Sequence, residues 1–433
     1  ALRQKQSIVQ LAAGREPTSF LFPPLFNPEQ IRSRLAEGEV LLSFHWTTTG
    51  LTGVLESCNG KAAWDIQQPE LITNEIRSLL QSFGLFNTTV NVPTERLVKN
   101  DWMVIARRIK DLLFKNARIN LADEAVKQLI IIPDGALWYL PFEILPIGTH
   151  QAKEGIQDII LRDTCQICYC PTRSLAVEEA GKFGGYDLVG LHLGRMHKAD
   201  VRESQESLGE RLKASLRRPV RIGNLMENNL LMESGLLDLF LVFDELPQKT
   251  QINLSPMVVD WQRNNRVTFG QWVSLPGKRV QALLLPGFTS AASNSLVPVT
   301  KRLGDDLFQA TTSLLAGGAH TVLISRWPMG GQSTIRLMEE FVIDLQNQKN
   351  MSSVTESWHR AVDVVSFEEP DINREPRLSQ STEAVLSDSQ HPVFWSGHLL
   401  MHAGKGHHKP RQKEIGNVPK QPLIAAPVMQ VAP

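Results

Sequence analysis

A chain of 433 residues, 42% hydrophobic and 21% charged, is long enough for one large core or two linked ones, and its composition excludes a wholly disordered polymer. Its 45 lysines and arginines balance 45 aspartates and glutamates, so no overall field draws it to nucleic acid or to an anionic membrane. Four cysteines, three of them crowded at Cys165, Cys168 and Cys170, do not make the disulfide framework of a small secreted scaffold, and no run approaches the roughly 20 apolar residues of a membrane span.

The start, Ala1-Leu2-Arg3-Gln4-Lys5, has neither a signal-peptide core nor an initiator Met, so the expectation is a cytoplasmic chain cut from a longer protein. Residues 40–46, 51–55 and 62–66 read as short strands punctuated by Gly50, Gly53 and Gly60, a small antiparallel meander. Two helices, 69–83 and 95–115, follow; in the second, Met103, Ile105, Ile109, Leu112 and Leu113 recur at near-helical spacing.

From Gln128 the pattern changes to apolar strand runs at 129–132, 188–193, 237–243, 283–285 and 321–324, alternating with amphipathic helices at 172–180, 204–216, 305–315 and 332–345. Near-continuous apolar strands spaced by helices call for a mostly parallel α/β sheet covered on both faces. Gly317-Gly318 closes the third helix, as a glycine past a C-terminus does. Beyond about residue 367 the chain turns polar, the run 392–400 reads as one last edge strand, and the end is a solvated tail. The division expected is a meander and helices over 1–126, an α/β core over 127–402 and a tail over 403–433.

The segment Ile131-Ile132-Pro133-Asp134-Gly135-Ala136-Leu137-Trp138-Tyr139-Leu140-Pro141-Phe142-Glu143 is an apolar strand ending in a strong Pro-Asp-Gly turn, followed by an aromatic-rich return. It resembles the strand-turn signature of the CHAT family, caspase-like domains often found behind TPR repeats. Three further segments resemble that family in order: 161–174, with Cys170-Pro171-Thr172-Arg173-Ser174; 313–328, with Ala316-Gly317-Gly318-Ala319 and Ser325-Arg326-Trp327-Pro328; and His391-Pro392-Val393-Phe394-Trp395 as a closing strand. The resemblance implies a caspase-hemoglobinase fold with a His at the end of one strand and a Cys at the end of the next, where a base can reach a thiolate.

This chain departs from the pattern at both positions. The strand that should run into His-Gly runs into Asp244-Glu245-Leu246-Pro247, and the one that should run into Ser-Ala-Cys reads Pro286-Gly287-Phe288-Thr289-Ser290, with Phe288 in the nucleophile's place. A phenyl ring has no lone pair to attack a carbonyl. The expectation is an inactive pseudo-peptidase serving as a protein-interaction or regulatory module, with protein or peptide partners, a possible N-terminal TPR region in the full-length protein, and no nucleic acid, membrane, cofactor or metal. The alternative is an active hydrolase with Thr289 or Ser290 as a nonstandard nucleophile and Asp244 or Glu245 as its base.

Other features have plainer readings. Cys165-x-x-Cys168-x-Cys170 has the spacing of a zinc pair but no nearby fourth ligand, and alternate strand residues face opposite sides, so buried structural thiols are expected. His192 and His197 flank a strand end and read as satisfied or solvated histidines, and His402, His407 and His408 as part of the tail. Gly184-Gly185 precedes a strand, and Gly330-Gly331 continues into Gln332-Ser333-Thr334 rather than Gly-Lys-Ser, so phosphate-loop readings give way to a helix N-terminus.

Overall fold

In the computed structural model the apolar runs offered by the sequence pair into one sheet of 11 strands. The structure describes residues 25–86, 91–117, 119–121, 123, 125–152, 155–177, 185–193, 203–221, 237–243, 256–258, 266–268, 280–288, 290, 292, 296, 302–316, 318–347, 353–381 and 386–403. The strands are β1 (Glu39–Trp46), β2 (Leu51–Ser57), β3 (Gly60–Ile66), β4 (Gln128–Ile132), β5 (Gln166–Tyr169), β6 (Val189–Leu193), β7 (Pro219–Arg221), β8 (Leu239–Phe243), β9 (Ala282–Leu285), β10 (Thr321–Ser325) and β11 (His398–His402).

Across the sheet they run β7-β6-β8-β9-β10-β11-β5-β4-β1-β2-β3. From β7 to β10 every pairing is parallel. Strand β11 turns antiparallel to β10 and then heads a second parallel block with β5, β4 and β1, which the β1-β2-β3 meander extends. The meander therefore shares its sheet with the α/β core. Strands β4, β8, β9 and β10 are buried along their whole length, which is why they read as unbroken apolar runs.

The helices are α1 (Pro28–Arg34), α2 (Pro69–Ser82), α3 (Asp101–Phe114), α4 (Glu203–Ser215), α5 (Asp305–Ala316), α6 (Gly331–Asn347) and α7 (Val354–Ser366). Helices α6 and α7 form a hairpin whose second arm lies over β5 and β11. Gly318, with φ +96°, closes α5 through its N–H to the Leu315 carbonyl, while Gly317 lies outside the described residues. The Pro-Asp-Gly turn is present: Gly135 takes φ +56°, and the Asp134 carboxylate accepts the Trp46 N–H at 2.6 Å, tying the end of β4 to the end of β1. Among the described residues no helix is long and apolar enough to cross a membrane.

Three expectations need correction. The segment 95–115 is not one helix: Thr94–Val98 and α3 are separated at Asn100, whose left-handed φ of +52° breaks the ladder while its side chain accepts the Trp102 indole N–H. Of 172–180, only Arg173–Ala176 is helical, and 178–184 lie outside the described residues. The closing segment is not an edge strand: Pro392–Phe394 is a 3-10 turn capped by His391, and the strand after it, β11, lies in the middle of the sheet between β10 and β5. Four consecutive buried residues, His398 to Met401, fit that place, where neighbouring strands cover both edges and the core covers both faces. Helix α7 and the hairpin of Pro146–Ala152 with Gly155–Ile160 had no counterpart in the sequence reading.

Candidate active site

In a doubly wound sheet, sites form outside the carboxyl ends of the strands, where the direction of winding reverses. Here the chain steps outward from β6 to β7, then returns to the other side of β6 and continues through β8, β9 and β10. The reversal lies between β6 and β8. The segments leaving those two strands, 194–202 and 244–255, lie outside the described residues, and with them Asp244, Glu245 and His197. His192, on β6, is buried.

The tip of β9 is described up to Phe288. A tight turn, Phe288 N–H to the Leu285 carbonyl at 3.1 Å, folds the chain back and leaves the Phe288 side chain only 2% exposed within the main core. Its carbonyl accepts the Ser325 hydroxyl at the tip of β10. Ser290 is 4% exposed; its hydroxyl donates to the Arg326 carbonyl and accepts the Ala292 N–H at 3.2 Å. Thr289 lies outside the described residues. Phe288 and Ser290 thus fasten the β9 loop to the tip of β10, a role invisible in sequence because the partners are some 36 residues apart.

The three crowded cysteines are all buried. Cys165 faces the main core with Ile167 and Tyr169, whereas Cys168 and Cys170 face the smaller core under α1, so the sheet itself stands between the two ends of the zinc-like spacing. Burial pushes the Cys165 thiol up to about 11 and the Cys168 thiol up to about 12. Cys58 is exposed in the turn between β2 and β3.

One cavity brings a thiol and imidazoles together. A space of about 20 Å³, room for a single water, is lined by Cys165, Glu143, Arg162, His359, Ser396 and His398, with Trp358 and Trp395 beside them. It lies at the N-terminal ends of β5 and β11, beneath α7. His398 is 2% exposed, neither ring nitrogen has a hydrogen-bond partner among the described residues, and burial pushes it down to about 3. A thiolate–imidazolium pair forms where the surroundings stabilise both charges. Burial here opposes both charges, raising the thiol and lowering the ring, so the cavity favours neutral Cys165 and neutral His398.

Next to this cavity lies a buried polar knot that the sequence reading missed. Arg326, 0% exposed, donates through Nη1 to the carbonyls of Ser396 (2.9 Å) and His398 (2.5 Å), sits 3.6 Å through Nη2 from Glu143 Oε2, and stacks 4.7 Å over the Tyr169 ring. The Tyr169 hydroxyl donates to Glu143 at 2.7 Å and accepts the Phe142 N–H at 3.1 Å. Arg162 stacks 4.5 Å over Trp395 and donates to Ser366. Among the described residues no group of three or more His, Cys, Asp or Glu is placed to hold a metal ion.

Comparison with solved structures fixes what kind of sheet this is. Saccharomyces cerevisiae separase, in its complex with securin, superposes with a TM-score of 0.54 at 10% identity, over 87% of this chain and 30% of that chain. The fold is caspase-like. A second structure of the same complex matches with a TM-score of 0.46 at 8% identity, over 87% of this chain and 31% of that one. The caspase-like chain thus spans less than a third of the neighbour's length. No family model matches the chain, and no curated protein sequence matches it.

Proposed function

We propose that this chain is a CHAT-like pseudo-peptidase, a caspase-like domain that performs no bond cleavage and works by binding protein or peptide partners in the cytoplasm, in a longer protein with TPR repeats ahead of it. The observation that carries the reading is the burial of the thiols: Cys165, Cys168 and Cys170 all lie inside the core, and burial opposes both a Cys165 thiolate and a charged His398 in the cavity they share. The β9 tip supports it, since Phe288 fills the nucleophile's place in the motif and packs into the core. The buried Ser290 hydroxyl, engaged with the Arg326 carbonyl, favours a fastening role over attack on a substrate. The separase neighbour was solved with a protein bound to it, securin, and a protein partner is the counterpart proposed here.

The test is to challenge the purified protein with diverse peptide libraries and with an electrophilic probe directed at catalytic cysteines. The expected result is no turnover and no rapid labelling of a buried cysteine. Peptide cleavage that disappears on changing Cys165, Thr289 or Ser290 to Ala overturns the proposal.

A further inference from the structure

A second cleft, of about 400 Å³, opens between the end of α2, the start of α3 and the capping residue of the Pro392–Phe394 turn. Its size is that of a small-molecule pocket. Gln81 and Ser82 add polar lining, and three further features bear on what it accepts. Its apolar surface comes from Leu85, Phe86, Trp102 and Ile105. His391, 8% exposed, lies edge-on between the Phe83 and Trp102 rings at 5.8 and 6.0 Å. Its Nδ1 accepts the Val393 N–H at 3.2 Å, which places the ring proton on Nε2. Among the described residues that donor has no hydrogen-bond partner, and its residue lines the cleft. Burial keeps the ring neutral, pushed down to about 3. At the mouth, Arg96 and Asp101 carry opposite charges, so the site has no net preference for an anion or a cation.

We propose that this cleft binds a neutral phenol, its flat ring against Trp102 and Phe86 and its hydroxyl oxygen accepting the His391 Nε2–H. A plain hydrocarbon ring would seal that donor from water without replacing its partner, so it should bind less well. The phenol has two sources, a free small molecule or the tyrosine side chain of a partner peptide, and the site goes beyond the pseudo-peptidase reading without depending on it.

The experiment titrates the whole chain with p-cresol, toluene, N-acetyl-L-tyrosinamide and its phenylalanine counterpart, following the Trp102 indole N–H by NMR. The expected result is a saturable shift with p-cresol, about tenfold tighter than with toluene, a preference lost in His391→Phe. Ile105→Lys, at the half-buried mouth, leaves the fold intact and should weaken both ligands at least tenfold. Binding of the tyrosine derivative over the phenylalanine one assigns the site to a peptide, and binding of p-cresol without either assigns it to a free phenol. No saturable shift with p-cresol, equal affinity for toluene, or no effect of Ile105→Lys overturns the proposal.

Discussion

At the scale of single residues, the chemistry of this crevice is decided by burial. The same burial that raises the Cys165 thiol to about 11 lowers His398 to about 3, and the two effects work jointly against an ion pair. Iodoacetamide at neutral pH is therefore expected to modify Cys58 in the folded protein and the other three cysteines only after unfolding. Mass-mapped labelling at Cys165 under native conditions would contradict this. Arg326 gives the complementary prediction. Its guanidinium is fully buried against Glu143, so Arg326→Ala leaves a carboxylate without its counter-charge and should cost about 3–5 kcal/mol in a urea melt, with solubility retained. The sequence made Phe288 legible, because a strand followed by Pro-Gly sets the register of the next residue. It did not expose the Arg326–Glu143 pairing, because no local periodicity links residues that meet only through the sheet.

At the scale of elements, the segments that resemble the CHAT family converge on one place. Glu143 follows the Pro-Asp-Gly turn, Tyr169 ends β5, Arg326 leaves β10, and Trp395 precedes β11; all four meet around Arg326 or Arg162. Their common role in this chain is to lock strand ends together. The start of α6 shows a second such lock. Glu375, almost fully buried, accepts the Ser333 N–H at 2.7 Å and the Ser333 hydroxyl at 2.9 Å, and Gly331, at φ +73°, leaves no room there for a Cβ. Burial nevertheless raises the Glu375 carboxyl from 4.5 to about 7, outweighing the Ser333 hydrogen bonds and Arg377. Because the folded value is the higher one, the group's contribution to stability is fully present below pH 4.5 and is lost as the pH rises towards 7, by about 3 kcal/mol. Glu375→Gln should flatten that part of the stability–pH curve measured by urea unfolding between pH 4.5 and 8. An unchanged slope would place the titration elsewhere. The helix N-terminus was readable from Gly331-Gln332-Ser333-Thr334, but its acid was not, since Glu375 lies 42 residues further on.

At the scale of the whole molecule, the sheet is two parallel blocks of opposite direction sewn together by β11. The sequence revealed the central strands because they are apolar along their length, yet it placed the closing strand at an edge. Chain order says nothing about which neighbours a late strand will take, and only the unbroken burial of 398–401 tells the two arrangements apart. The difference has a direct consequence. If β11 is the seam, a charge at Leu400 is buried between β10 and β5 with no partner, and Leu400→Asp should remove more than about 4 kcal/mol and melt both blocks in one transition. Ala63→Asp, on the exposed side of the true edge strand β3, should stay within about 0.5 kcal/mol of the parent. Circular dichroism melts of the pair decide the matter, because a Leu400→Asp melt that costs little, or that splits into two transitions, would overturn the seam position of β11. A seam strand supplied by the last part of the chain also means that the pairings of β10 and β5 are completed only when residues 398–402 arrive, which ties the two halves of the caspase-like sheet into one cooperative unit.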